Sequence, residues 1–313
     1  MAPVFASSGS LFADRRYEYA RRAAREADHA AAADLLEQAV ELAPHWASAW
    51  FALGEARERL QAREAAAQAF AEALARDPAD PHGAALRLAL LRGGAPSMMN
   101  EAYVQGLFDQ YAPRFDAHLV GALAYRGPEI LADALRKVCA KQARAFHFET
   151  VLDLGCGTGL MARALALHFA SMHGVDLSPR MIAEAGKTGL YASLAAAEMT
   201  GWLQDRPAAQ ADLVVAADVL VYVGDLAPLC LQAARVLDPG RGVLAFTAQR
   251  QEGTGYALGA DMRFAHAPAY LRECTHAAGL RVVLLEEQST RRDAGRDVPG
   301  LVCVAALRRE AGR

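Results

Sequence analysis

Two acids and a short run of glycines carry the chemistry that can be read first. In Asp153-Leu154-Gly155-Cys156-Gly157-Thr158-Gly159, an acid stands just before a turn in which every second residue is glycine. Glycine lets the backbone pass close to a ligand where any Cβ would collide. A second acid, Asp176, follows about twenty residues on, in Gly174-Val175-Asp176-Leu177-Ser178-Pro179. At the tip of a second strand, such an acid is placed to accept both hydroxyls of a ribose. The glycines miss the dinucleotide pattern G-x-G-x-x-G: after Gly155 and Gly157 the third place falls on Leu160, and the last glycine comes one residue early, at Gly159. Asp153 is also atypical of a dinucleotide site. It is suited to hold a cationic amino group or an ordered water.

The surrounding pattern supplies the elements that hold these groups. Residues 149–154 are apolar and partly β-branched, as in a buried parallel strand. An amphipathic helix is predicted from about Leu160, and a second strand over residues 172–176. Ser178 or Pro179 starts the next helix. Strand, glycine turn and helix make the opening unit of a nucleotide-binding α/β fold. A third strand is predicted near residues 193–196, a fourth within 211–218, and a fifth from Val243 after the turn 237–242. Residues 281–287 and 299–307 are β-rich and separated only by a polar segment. They are expected to pair antiparallel.

S-adenosylmethionine carries a free ammonium and no pyrophosphate, and so suits an acid at Asp153. Val151-Leu152-Asp153-Leu154-Gly155-Cys156-Gly157-Thr158-Gly159, followed by Gly174-Val175-Asp176-Leu177-Ser178, resembles motif I and the acidic loop of the class I S-adenosylmethionine-dependent methyltransferases. The resemblance continues through most of the remaining chain. It implies a Rossmann-like seven-stranded sheet with the last strand antiparallel. It also implies S-adenosylmethionine as cofactor, with Asp176 on the ribose and the turn from Gly155 through Cys156, Gly157 and Thr158 to Gly159 along the methionine part. Glu198 and Met199 would sit beside the adenine, although the family often has Asp where Glu198 stands. Leu177 and Met181 would pack on the adenine faces, or Met181 is an ordinary helix-core residue.

Before the first strand, Tyr103, Leu107, Phe108, Tyr111 and Phe115 recur at helical spacing. The pattern Phe108-Asp109-Gln110-Tyr111-Ala112-Pro113-Arg114-Phe115-Asp116 is similar to the N-terminal lid of small-molecule methyltransferases. Leu123-Ala124-Tyr125-Arg126-Gly127-Pro128 resembles a bacterial subgroup that joins tetratricopeptide repeats to such a domain. The resemblance makes Tyr111 a lid residue facing the cofactor or the acceptor. It makes Arg126 a partner for a carboxylate, or simply a surface residue at a helix start. Displacement at a sulfonium carbon has an activated leaving group, so the protein must mainly align the reactants, and a base is optional. His266, ahead of Pro268, is a candidate base, or else a capping or orienting residue. Asp218 and Tyr222, just past the fourth strand, are expected on the same edge. Asp218 lacks the Pro-Pro-aromatic sequence of many methyltransferases acting on base amines.

The front of the chain repeats. Pro44 and Pro78 lie about 34 residues apart, each closing a helical stretch. Trp50, Leu53, Gly54, Ala66, Phe70 and Ala73 fall where two helices would interlock, the small residues allowing close approach. This resembles the tetratricopeptide repeat, with Arg57 where an aromatic is usual. The preceding unit keeps Ala32, Leu36 and Ala39, but its first helix, near residues 16–28, departs from the pattern. Residues 81–91 begin a further helix. Roughly three units are normally needed for independent stability. The module is therefore expected either to bind a protein or peptide or to serve packing or self-association. Residues 92–97 contain two glycines and a proline and mark a linker. The expected domains are an all-α repeat region over 1–95 and a methyltransferase domain over 96–313, divided into a helical lid at 96–147 and a core at 148–313.

Composition limits the alternatives. Of 313 residues, 53% are hydrophobic and 22% charged, enough to form a core. The formal net charge of -3 gives no basic surplus for nucleic acid. The cluster Arg15, Arg16, Arg21, Arg22 and Arg25 reads as a solvated helix face in preference to a nucleic-acid patch. Five scattered cysteines form no CxxC pair, so no metal site is expected and a reducing compartment fits. No segment reaches the roughly 18 apolar residues that span a bilayer, and residues 1–11 lack the features of a signal peptide. A cytoplasmic enzyme acting on a small molecule is the leading expectation, without nucleic-acid or membrane partners. An enzyme that recruits a polypeptide through its repeats, and a non-catalytic adaptor, are the alternatives.

Overall fold

The computed structural model describes residues 7–112, 124–293 and 295–308. They divide into two compact units between Gly106 and Leu107. The first unit contains five helices: α1 (Leu11–Arg25), α2 (His29–Leu42), α3 (Ala47–Arg59), α4 (Arg63–Arg76) and α5 (Ala84–Arg92). Each packs chiefly on the next in sequence. Ser10 caps α1 and Asp28 caps α2, each accepting from a backbone N–H of the first turn. Pro44 and Pro78 follow the ends of α2 and α4, where neither can continue a helix. A Cβ on Gly54 would stand 2.5 Å from the ring of Phe70, so α3 and α4 approach closely only because this residue has none. Phe70 and Ala66 are fully buried there, and Leu53 nearly so.

The boundary between the units falls within α6 (Glu101–Tyr111). The second unit continues with α7 (Gly127–Lys141), β1 (Phe148–Leu154), α8 (Leu160–Ala164), β2 (Phe169–Asp176), α9 (Pro179–Gly186), β3 (Ser193–Ala196) and α10 (Met199–Gln204). Then come β4 (Leu213–Ala216), a 3-10 turn at Leu220–Tyr222, α11 (Ala227–Val236), β5 (Val243–Arg250), β6 (Tyr256–Leu258), β7 (Phe264–His266), α12 (Pro268–Ala277) and β8 (Leu280–Glu287). The strands β9 (Arg292–Asp293) and β10 (Arg296–Asp297) make a small separate pair, and β11 (Gly300–Leu307) ends the series.

The main sheet has the order β3-β2-β1-β4-β5-β11-β8. The first five are parallel, whereas β11 runs antiparallel to both β5 and β8. This is a Rossmann-like α/β sheet with an antiparallel edge. Two strands go beyond the seven expected. β7 adds in parallel to the end of β5, and β6 pairs with β7. Three-residue strands carry too little period-2 pattern to be told from loop.

Alternation along β1 sorts its side chains between two cores. Leu152 and Leu154 join Val214, Leu244, Phe246 and residues of α10, α11 and α12. Val151 joins Val215, Ala245, Val304 and residues of α7 and α8 on the other side. The five cysteines are all buried and free. Among the described residues, no helix is long and apolar enough to cross a membrane. Phe115 and Leu123 lie outside the described residues.

Candidate active site

Asp153 is the penultimate residue of β1, in register with Gly174 of β2 and Val215 of β4. The period of the strand turns it to the side of Val151. It is 1% exposed, and its Oδ2 accepts a hydrogen bond of 2.6 Å from the Tyr191 hydroxyl. Burial pushes its carboxyl up to about 7. The Tyr191 hydrogen bond opposes that shift and the nearby Asp176 carboxylate adds to it. Gly155 follows at φ +63, and a Cβ there would stand 2.4 Å from Val219 just beyond β4. Both the left-handed backbone and this contact require glycine. Cys156 and Thr158 are buried within the turn, and burial raises the Cys156 thiol well above its ordinary range.

Asp176 ends β2 beside this turn. Its Oδ2 accepts from Gly157 N and its Oδ1 from Ser178 N, both at 2.9 Å. The acid thus ties the glycine turn to the start of α9. Burial lifts its carboxyl to about 6 against the pull of those two hydrogen bonds. Ser178 caps α9 by accepting from Met181 N, and it donates to Asp109 Oδ1 of α6 at 2.5 Å. Asp109 and Tyr191 were not singled out from sequence. Asp109 lies in the lid pattern without a role given to it there, and Tyr191 comes from a loop with no motif of its own. Leu177 is half-buried at the crevice, whereas Met181 is fully buried within α9, the position of a helix-core residue.

Glu198 has a local task. Its two oxygens accept from Thr200 N and Gly201 N at 2.8 and 2.7 Å, capping α10, with half-buried Met199 next in the chain. Arg126 is exposed at the N-cap of α7, and its backbone N–H donates to Thr290 O at 2.8 Å. Tyr111 is half-buried at the end of α6.

Past β4, Asp218 adopts φ +56, a left-handed conformation that Asp tolerates better than most side chains. Its Oδ1 lies 2.6 Å from Nη1 of Arg291, whose Nη2 donates to Gln249 Oε1 at 2.8 Å. Burial raises the Asp218 carboxyl, and Arg291, Arg263 and Thr290 oppose that shift. Sequence reasoning had no route to Arg291, because it lies in the polar segment between two strands. Tyr222 meets Phe108 edge to face at 5.3 Å between ring centres.

The surroundings of His266 support its orienting alternative. The residue is 0% exposed on β7, and its Nε2 faces the Val223 and Gly224 carbonyl oxygens at 2.9 and 3.1 Å. Two carbonyl acceptors require that Nε2 carry the proton. Burial pushes the ring down to about 4. A base must reach the proton it removes. Through Nε2 this imidazole holds the loop after β4, while its buried Nδ1 has no hydrogen-bond partner among the described residues.

The residues around the glycine turn suit S-adenosylmethionine. Asp176 accepts from the backbone of the glycine-rich turn, and Asp153 precedes the same turn by two residues. Neither forms an ion pair among the described residues. Two carboxylates in a desolvated crevice without a protein cation match a ligand that brings an ammonium and a pair of ribose hydroxyls.

A family model described as a methyltransferase domain matches residues 151–240. The chain carries a methyltransferase domain of class I type, whose methyl donor is S-adenosylmethionine. Over 115 residues this domain is 35% identical to a Pseudomonas aeruginosa protein named trans-aconitate 2-methyltransferase, covering 36% of this chain and 41% of that one. Over 152 residues it is 28% identical to a Xylella fastidiosa ubiquinone biosynthesis O-methyltransferase, covering 48% and 57%. The chain thus spans less than two thirds of the length of either relative. Among solved structures, the cyclase SpnF superposes with a TM-score of 0.53 at 19% identity, covering 68% of this chain and 97% of that one. The likeness to a cyclase is one of fold alone, so the reaction has to be argued from the methyltransferase domain's own residues.

Proposed function

We propose that the protein transfers a methyl group from S-adenosylmethionine to a small-molecule acceptor and releases S-adenosylhomocysteine. The observation that carries this reading is a pair of acids at one glycine turn: Asp176 accepts from Gly157 N, and buried Asp153 stands two residues before Gly155 at the end of β1. When bound, the cofactor supplies a methyl on an activated sulfonium leaving group. Asp176 would hold the ribose, and Asp153 would hold the ammonium. The turn from Gly155 to Gly159 would let the backbone approach the methionine part. On the acceptor side, the Asp218–Arg291 pair and the His266-anchored loop give fixed walls. Their part is to align the acceptor and exclude water. No side chain is needed to activate the leaving group. Similarity to proteins named for trans-aconitate and for ubiquinone biosynthesis supports a small acceptor. Five buried free thiols and the absence of a basic surplus suit a cytoplasmic enzyme with no nucleic-acid partner.

A second reading gives the helical unit a part in choosing the acceptor. The close Gly54–Phe70 contact between α3 and α4, one repeat length of about 34 residues bounded by Pro44 and Pro78, supports a tetratricopeptide-type hairpin. Such a unit would recruit a polypeptide or a second copy of the chain.

Titration calorimetry with S-adenosylmethionine tests the cofactor reading: wild type binds, and Asp176→Ala, which strands the Gly157 and Ser178 N–H donors and so melts lower, still folds and binds at least tenfold more weakly. Equal affinity in the variant would remove Asp176 from the ribose. Incubating the protein and labelled cofactor with a metabolite extract, and separately with a proteome, separates the two acceptor classes.

A further inference from the structure

We propose that Tyr191 is a positioning residue for cofactor binding, which aims Asp153 at the cofactor ammonium and keeps that carboxylate ionised. The inference rests on the cofactor reading above and adds to it a residue outside the glycine turn and the acidic loop.

The geometry is a slot built for one ring. Gly174 stands beside Asp153 in the β1–β2 register, so the strand position next to the acid has no side chain. A Cβ on Gly174 would stand 2.9 Å from the Tyr191 ring, and one on Gly159 would stand 3.2 Å from it. The ring therefore lies against two glycines, one on β2 and one closing the turn, and its hydroxyl ends 2.6 Å from Asp153 Oδ2. Tyr191 enters from the loop between α9 and β3, where Thr188 Oγ1 donates to Ala185 O and accepts from Leu190 N. The loop is thus tied just before the tyrosine, and the hydroxyl is tied to Asp153.

This placement has a chemical consequence. A buried carboxylate facing a ligand cation must be charged to attract it, and burial resists that charge. The groups around Asp153 do not help. Asp176 and the Cys156 thiol are acids, and the Tyr125 hydroxyl senses the same carboxylate. The Tyr191 O–H is the donor that stabilises the ionised form. It also occupies Oδ2, which leaves Oδ1 for the ligand and fixes the carboxylate plane.

The test is the affinity for S-adenosylmethionine, measured by calorimetry across pH, in wild type and Tyr191→Phe. The phenylalanine keeps the ring in its slot and removes only the donor. The expected result is a pH midpoint displaced upward by about one unit, with affinity about fivefold weaker near pH 7 and converging with wild type at higher pH. Titration of the ligand's own ammonium is common to both proteins and cancels in the comparison. Superimposable curves, or a deficit equal at every pH, would overturn the proposal. As a second measurement, Asp153→Asn is expected to remove the component near pH 7, leaving only those of Asp176 and of the ligand's ammonium, and to make the further change Tyr191→Phe without effect on the curve. A curve unchanged from wild type in Asp153→Asn would show that the titrating group is not Asp153 and would overturn the proposal. Failure of wild type itself to bind would instead defeat the cofactor reading on which the proposal rests.

Discussion

Arg291 reaches from the segment after β8 to Asp218 beyond β4, placing its Nη1 2.6 Å from Oδ1 with the guanidinium 5% exposed. The pair joins chain segments far apart in sequence, and Gln249 of β5 holds the other guanidinium nitrogen. It links the segment after β8 to the ends of β4 and β5. Removing one partner would leave a buried charge without compensation. Arg291→Ala is therefore expected to lower stability by roughly 3–5 kcal/mol. The double variant Asp218→Asn/Arg291→Met should recover much of that loss in urea unfolding. Additive losses would mean that the two groups are not coupled.

His266 makes stability depend on acid. Its folded pKa of about 4 lies below the ordinary value of 6.5, so between those values the unfolded chain binds a proton that the folded chain refuses. The stabilisation is present above about 6.5 and is lost as pH falls toward 4. Relative to His266→Gln, wild type should lose up to about 3 kcal/mol over that window. Denaturation midpoints measured across it provide the check. Parallel curves for the two proteins would place the imidazole in contact with water.

Gly155 should tolerate nothing larger. Gly155→Ala meets both a left-handed backbone and Val219, so a loss of about 1–3 kcal/mol is expected together with weakened cofactor binding. Val219→Ala in the same chain should restore part of the stability by removing the γ-methyl nearest the new Cβ. No rescue would mean that the backbone conformation alone sets the cost.

Glu198 separates capping from ligand contact. Loss of its two hydrogen bonds to the first turn of α10 in Glu198→Ala should cost about 1 kcal/mol. Glu198→Ser, which can accept at the cap but cannot reach as far, should regain that stability. Any loss of cofactor affinity that remains in Glu198→Ser then measures its contact with the adenine.

Much of the cofactor side was legible in the chain. A glycine turn and its flanking acids are local: the backbone conformation that Gly155 needs and the strand that carries Asp153 are both written within a few residues. The paired strands β8 and β11 were also legible, because their apolar runs are long. The three-residue strands β6 and β7 were not, and with them went the setting of His266. Its neighbours Val223 and Gly224 are remote in sequence. No local pattern tells a histidine poised in a crevice from one whose Nε2 faces two backbone carbonyls.

The order of residues thus determined the methyltransferase sheet, its glycine turn, its two acids and the helices that precede it, since each follows from short-range periodicity and backbone preference. Tertiary structure alone decided which side chains meet those acids. Tyr191 reaches Asp153 because Gly174, a neighbour only through strand register, leaves the space, and Arg291 reaches Asp218 across the end of β5, whose Gln249 it also bonds, because the antiparallel strand β11 pairs with β5. Such contacts depend on distances in space that sequence spacing does not encode.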